Sequence, residues 1–174
     1  MPKILFVVAQ EGFRDEELFV PKQILEDEGN EVVVASLSTE MAKGSKGGSV
    51  KPDVSVKEAK EYDFDVLVMV GGPGAVSLCD VQEIEDLFCG SVEEGKTTGA
   101  ICIAPMNLAK WGLLTGRKAT VFKTDESMKA FEENGVEYTG KDVEVDENII
   151  TANGPAAAEA FARKILEMLT VEEV

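Results

Sequence analysis

Hydrophobic positions fall into two patterns along this chain: short unbroken apolar runs, and longer mixed stretches closed by glycine. The runs at 4–9 (ILFVVA), 66–70 (VLVMV) and 98–101 (TGAI) read as strands buried on both faces, with 31–36 a further strand. Between the first two strands Asp15 can cap a helix that sets Leu18, Ile24 and Leu25 on one face and stops at Gly29. Pro21 predicts a kink in that helix, unless it begins later. Residues 43–56 are rich in Gly, Lys and Ser and then alternate, as a hairpin does. A helical stretch runs from the glycines at 71–74 to about Glu94, and 104–111 is a short helix stopped by Gly112. Residues 118–122 predict another strand, 125–134 a helix capped by Gly135, and 143–146 and 149–152 two strands about a turn. The last helix opens at Gly154 and Pro155 and runs to about Leu169.

Strands alternating with helices at this spacing build βαβ units, hence a mainly parallel sheet with helices on both faces. Short crossovers predict an α/β, flavodoxin-like doubly wound sandwich. With no repeat, low-complexity tract or long linker, residues 1–174 read as one domain. That length buries a substantial core without disulfide or metal staples.

Charge narrows the partners. The formal net charge is −16, from 17 basic and 33 acidic residues, which disfavours nucleic acid and anionic membranes, since both need basic surface. Solubility accounts for most of this acidity. The cysteines, Cys79, Cys89 and Cys102, show no C-x-x-C spacing, and the chain contains no histidine. Neither a zinc site nor a disulfide framework is expected, and no metal or cofactor is implied. Met1, Pro2 and Lys3 lead straight into an apolar run with no signal-peptide core. No run reaches the roughly 20 apolar residues of a membrane span. A cytoplasmic protein is expected.

In a doubly wound sheet, ligands bind beyond the carboxyl ends of the strands. Three such ends stand out: residues 10–17 after the first strand, 71–74 after the third, and Cys102 after the fourth. The first loop is acidic and lacks the composition of a phosphate cradle, which counts against FMN. The third strand ends in Val70 and Gly71 rather than an aspartate, which counts against a phospho-receiver domain. Cys102 lies where an apolar strand meets a helix start, much like a nucleophile elbow, with amide N–H groups placed to favour its thiolate. A small buried hydrophobe is the competing reading, and the one that suits Cys79 and Cys89. Gly71 and Gly72 make either a tight turn or bare backbone from which the Gly72 N–H, beside that of Ile103, forms an oxyanion hole. Among Glu11, Asp15, Glu16 and Glu17 the pattern selects none, because acidic residues at a helix start commonly serve capping and the macrodipole. Without histidine, a reactive Cys102 depends on a carboxyl group, backbone amides and the helix end.

These motifs, in this order, resemble the ThiJ/PfpI superfamily: ILFVVA at 4–9, FRDEELFVP at 13–21, VGG at 70–72, AICIAP at 100–105 and NGP at 153–155. The likeness covers nearly the whole chain. It implies an amidotransferase-like α/β fold, Cys102 as the reactive nucleophile, and Glu17, four residues before Pro21, as the glutamate that contacts its sulfur. It implies further that Gly72 and Ile103 present backbone amides to the pocket, with Pro105, Gly154 and Pro155 in structural roles nearby. A homodimer or higher homo-oligomer is also implied. Three departures matter. The peptidase-like branch has His directly after the nucleophile, where this chain has Ile103, and the deglycase branch has a histidine where this chain has Val121, Phe122 and Lys123. Position 14, often acidic in the protease branch, is Arg14. Ile103 counts against proteolysis and against an amidotransferase-like reaction, since both rely on an imidazole.

A free thiol with a pKa of about 8.5 is a few per cent thiolate at neutral pH, and an ionised Glu17 beside it opposes ionisation. The pairing expected from sequence is therefore a protonated Glu17 donating to a thiolate, a bond of roughly 1.5–3 kcal/mol. The resemblance implies a cofactor-independent enzyme acting on reactive aldehydes or glycated substrates, glyoxalase or deglycase in type. The alternative is a non-catalytic redox-sensing or stress-response protein, chaperones included, whose thiol is oxidised to sulfenic and sulfinic acid. An intracellular cysteine peptidase ranks third.

Overall fold

The computed structural model describes residues 1–172. Seven strands form the central sheet: β1 (Lys3–Val7), β2 (Glu31–Ser36), β3 (Val54–Ser55), β4 (Val66–Met69), β5 (Thr97–Ile101), β6 (Val143–Asp146) and β7 (Ile149–Ala152). Their spatial order is β6-β7-β5-β4-β1-β2-β3. Neighbours are parallel throughout except β6 and β7, which form an antiparallel pair at one edge. The helices are α1 (Asp15–Asp27), α2 (Val56–Ala59), α3 (Gln82–Glu93), α4 (Ala104–Lys110), α5 (Asp125–Glu133) and α6 (Ala158–Glu172).

Alternation along the buried strands sorts the helices into two layers. In β1, Ile4 and Phe6 belong to a core shared with Leu18 and Leu25 of α1 and Phe161 and Ile165 of α6. Leu5 and Val7 belong to the opposite core, with Ile84 and Phe88 of α3, Met106 and Leu108 of α4, and Phe131 of α5. The result is a flavodoxin-like α/β sandwich. Strand order reverses beside β1: the chain fills β2 and β3 on one side, then β4, β5 and β7 on the other. Such a reversal leaves a crevice at the carboxyl ends of the central strands.

Several elements differ from the sequence pattern. The hairpin is present, Ala42–Gly44 against Ser49–Val50, and Glu11–Phe13 joins it as a third strand. The stretch after Gly72 divides into a 3₁₀ helix, Pro73–Asp80, and α3, with Val81 extended between them. Asp15 is not the cap of α1: it is the first helical residue, and its carboxylate accepts the N–H groups of Lys46 (2.9 Å) and Gly48 (2.7 Å). Two loop amides outcompete one helix amide for the same charge. Pro21 lies inside α1, which continues through it to Asp27. Of residues 118–122, Lys118–Ala119 alone is a strand, and it pairs with Glu137–Tyr138 outside the main sheet. The rest of that apolar segment is held by single contacts, Thr120 N–H to Thr151 Oγ1 (2.9 Å) and Phe122 N–H to the Cys102 carbonyl (2.8 Å). Among the described residues no helix is long and apolar enough to cross a membrane.

Candidate active site

Strands β1, β4 and β5 lie side by side, so the loops that follow them converge. Cys102 directly follows β5 with φ 66°, a left-handed conformation. For an L-residue with a side chain this costs roughly 1–2 kcal/mol. Two hydrogen bonds hold it there: its N–H donates to Ala152 C=O (2.9 Å), and its C=O accepts from Phe122 N–H (2.8 Å). The α4 helix begins two residues later. A cysteine strained at a strand-to-helix turn has the geometry of a nucleophile elbow.

Bare backbone surrounds the sulfur. A Cβ on Gly71 would lie 2.6 Å from Cys102 Cβ and 2.8 Å from Glu17 Oε1, so no other residue fits between the two side chains. Gly72 has φ 104°, and a Cβ there would come 2.5 Å from the Gly12 carbonyl oxygen. The turn and the open amide are thus one feature. The backbone N–H groups of Gly72 and Ile103 lie close enough to the Cys102 sulfur for each to favour its ionised form.

Glu17, in the first turn of α1, is fully buried. Its Oε1 accepts the Gly71 N–H at 3.0 Å. Its Oε2 is buried without a partner of full hydrogen-bond geometry, yet the Cys102 thiol is close enough to couple to the carboxyl by hydrogen bonding and charge. Burial, the largest influence, pushes the Glu17 carboxyl up to about 7, against smaller opposing pulls from the Cys102 and Gly71 hydrogen bonds. Burial, and then the charge of Glu17, push the Cys102 thiol up to about 12. Both groups are thus disfavoured as ions, and between these values the pair carries one negative charge and holds one proton between carboxyl and thiol. The upward shift of the thiol opposes the preformed thiolate expected from the sequence, because desolvation of the sulfur outweighs its two amide contacts. The other loop carboxylates are engaged elsewhere or exposed. Glu16 pairs with Arg14, Asp15 holds the hairpin, and Glu11 is exposed.

A cavity of about 290 Å³ opens over Cys102, walled by Val76, Ile103, Phe122 and Pro155, with Arg14 and Thr124 adding polar groups. Glu17 is not on this wall; it lies behind the thiol. Pro105 is buried in the first turn of α4, and Gly154 precedes the short 3₁₀ turn, Pro155–Ala157, that brings Pro155 to the cavity. Cys79 and Cys89 are free thiols outside the site, and burial raises both. Among the described residues no three His, Cys, Asp or Glu side chains are grouped to hold a metal ion. Sequence reasoning missed Val76, Phe122 and Thr124 as lining residues and noted Arg14 without placing it. Thr124 carried a visible signal as the N-cap of α5, whereas Val76 lies in the 3₁₀ helix, which the α-helical period does not describe, and Phe122 in an irregular segment.

A family model, the DJ-1/PfpI family, matches residues 2–168. The chain belongs to this family. Among DJ-1/PfpI relatives, it is 33% identical over 165 residues to the glutathione-independent glyoxalase DJR-1.2 of Caenorhabditis elegans, covering 95% of this chain and 87% of that protein. It is 34% identical over 169 residues to the deglycase PfpI of Pyrococcus furiosus, covering 96% and 99% respectively. Among solved structures, a ThiJ/PfpI domain protein from Brachyspira murdochii superposes with a TM-score of 0.92 at 28% identity, over 97% of this chain and 96% of that one.

Proposed function

We propose that this protein is an enzyme that converts small reactive α-oxoaldehydes to α-hydroxy acids, with Cys102 as nucleophile and Glu17 as general base and proton shuttle. The observation that carries this reading is the buried Glu17 carboxyl, held near pKa 7 against a strained cysteine at the floor of an apolar cavity. A base works best with a pKa near the working pH. The names of the worm glyoxalase and the archaeal deglycase support the same substrate class.

The steps follow from where each group sits. As sulfur bonds to the aldehyde carbon, the thiol proton passes to Glu17 Oε2, so a free thiolate at high cost is never required. The Gly72 and Ile103 amides stabilise charge on the sulfur and on the oxygen that develops beside it. Once its carbon is bonded to sulfur, the substrate lies within reach of Glu17 behind the thiol. Glu17 hands the thiol proton on to the new oxyanion, then takes the former aldehyde proton and returns it to the neighbouring carbon while the hydroxyl proton passes to the former ketone oxygen, leaving a hydroxyacyl thioester, which water cleaves to the hydroxy acid and free thiol. Carbon is oxidised at one atom and reduced at the next, so no external oxidant enters. The protein is expected to be a single domain that assembles as a homo-oligomer in the cytoplasm; sedimentation at monomer mass at every concentration would refute the assembly. Purified protein incubated with methylglyoxal should release lactate, and Cys102→Ser should not. Equal lactate from both would remove the enzyme reading.

A further inference from the structure

The cavity over Cys102 is apolar apart from the Thr124 hydroxyl and Arg14, the one positively charged group among the described residues that line it. In a chain of net charge −16, a guanidinium placed beside the reactive thiol is an exception. Two contacts fix it. The Arg14 backbone N–H donates to the Gly71 carbonyl (2.9 Å), and its Nε donates to Glu16 Oε2 (2.5 Å). Gly71 in turn abuts both Cys102 and Glu17, so the Arg14 backbone, the thiol and the carboxyl meet at one residue. The Glu16 contact uses one edge of the guanidinium. The terminal amino groups have no hydrogen-bond partner among the described residues. Glu16 does not cancel the charge, because both side chains are partly exposed, 31% and 43%, where such pairs are screened by water.

We propose that Arg14 is a specificity-determining residue that seats the distal carboxylate of an anionic α-oxoaldehyde while its aldehyde carbon meets Cys102. This rests on the reading of Cys102 as an aldehyde-directed nucleophile. A guanidinium with its terminal edge free matches a carboxylate by two parallel N–H···O bonds, and the apolar walls suit a short methylene spacer. A compound of this class is 4,5-dioxopentanoate, which carries aldehyde, ketone and carboxylate in one chain. Its aldehyde carbon bonds to sulfur, the aldehyde proton moves through Glu17 to the ketone carbon, and water cleaves the thioester to release 2-hydroxyglutarate and the thiol. The distal carboxylate stays on Arg14 and is unchanged.

The test compares wild type, Arg14→Lys and Arg14→Gln by two ratios. The first is kcat/KM for 4,5-dioxopentanoate over that for methylglyoxal, which should fall about tenfold or more in Arg14→Gln and be partly kept in Arg14→Lys. An unchanged ratio overturns the role of Arg14 and leaves the aldehyde reading intact. No turnover of either compound removes the aldehyde reading, and the second ratio then decides about Arg14 alone. That ratio is the alkylation rate of Cys102 by iodoacetate over iodoacetamide, followed by mass spectrometry on the Cys102 peptide. It should also fall about tenfold in Arg14→Gln, and changes in thiolate fraction cancel within it. Equal alkylation ratios in wild type and Arg14→Gln overturn the proposal.

Discussion

At the scale of single residues, one buried carboxyl group lies against the Cys102 thiol, and its burial sets its chemistry. The pKa of about 7 at Glu17 lies well above the roughly 4.3 of an unfolded glutamate. The folded state therefore holds this proton more tightly, so the stability it contributes is complete below about 4.3 and is lost as pH rises through about 7. Glu17→Gln abolishes that loss. Between pH 5 and 8 the variant should gain stability relative to wild type, on the order of 1–3 kcal/mol, in denaturant melts at the two pH values. Parallel behaviour of the two proteins would contradict a buried ionising carboxyl. The same substitution removes the charge that raises the thiol, so the Cys102 pKa, followed by alkylation rate against pH, should fall in Glu17→Gln while turnover disappears. A thiol pKa that rises instead would show that Glu17 does not repel the thiolate. The sequence pointed to Cys102 and, through the family likeness, to Glu17. It could not show the left-handed φ, which is held by the Cys102 N–H donating to Ala152 and the Cys102 carbonyl accepting from Phe122, partners 50 and 20 positions away in the chain. Nor could it show that desolvation would outweigh the two amides at the sulfur.

At the scale of elements, the unbroken apolar runs gave strands whose bounds match closely, because burial on both faces leaves a dense, unambiguous pattern. Residues 118–122 misled for the same reason: the segment is buried in part without sitting in the main sheet, and an apolar run does not say which backbone partner it will find. Asp15 misled because its better partners, the Lys46 and Gly48 amides, come from a hairpin about thirty residues on. Local capping signals were sounder at α5. Thr124 Oγ1 accepts the Ser127 N–H (3.0 Å) while Ser127 Oγ accepts the Thr124 N–H (2.9 Å), a reciprocal box. Because Thr124 also lines the cavity, Thr124→Ala should cost about 1 kcal/mol in urea melts and loosen that wall. A variant as stable as wild type would mean that the box does not anchor the helix start.

At the scale of the molecule, the site exists because strand order reverses beside β1 and leaves three loops facing one crevice. Alternation of strands and helices made the fold class legible. The sheet order and the meeting of Arg14, Gly72 and Cys102 are long-range properties, and one sequence read locally carries no direct signal of them. Ile103 follows Cys102 where a peptidase would need an imidazole, so this fold should cleave ordinary peptide amides far more slowly than it processes an aldehyde. An amide nitrogen must be protonated to leave, which Ile103 cannot do and which would ask Glu17 to serve as acid to a poor leaving group, whereas aldehyde addition has no amine to expel. Cys102-dependent peptide hydrolysis at rates comparable to methylglyoxal turnover would contradict this.

The central claim is that a buried carboxylate, rather than a preformed thiolate, activates Cys102. The pH dependence of kcat/KM for methylglyoxal tests it most directly, since that profile reports the ionisations of the free enzyme. The rate should climb about tenfold per pH unit at acid pH, bend at the Glu17 value of about 7 and remain level well into the alkaline range. A profile that stays low through neutrality and bends at about 8.5 or above, as a thiol ionising on its own would give, contradicts the account.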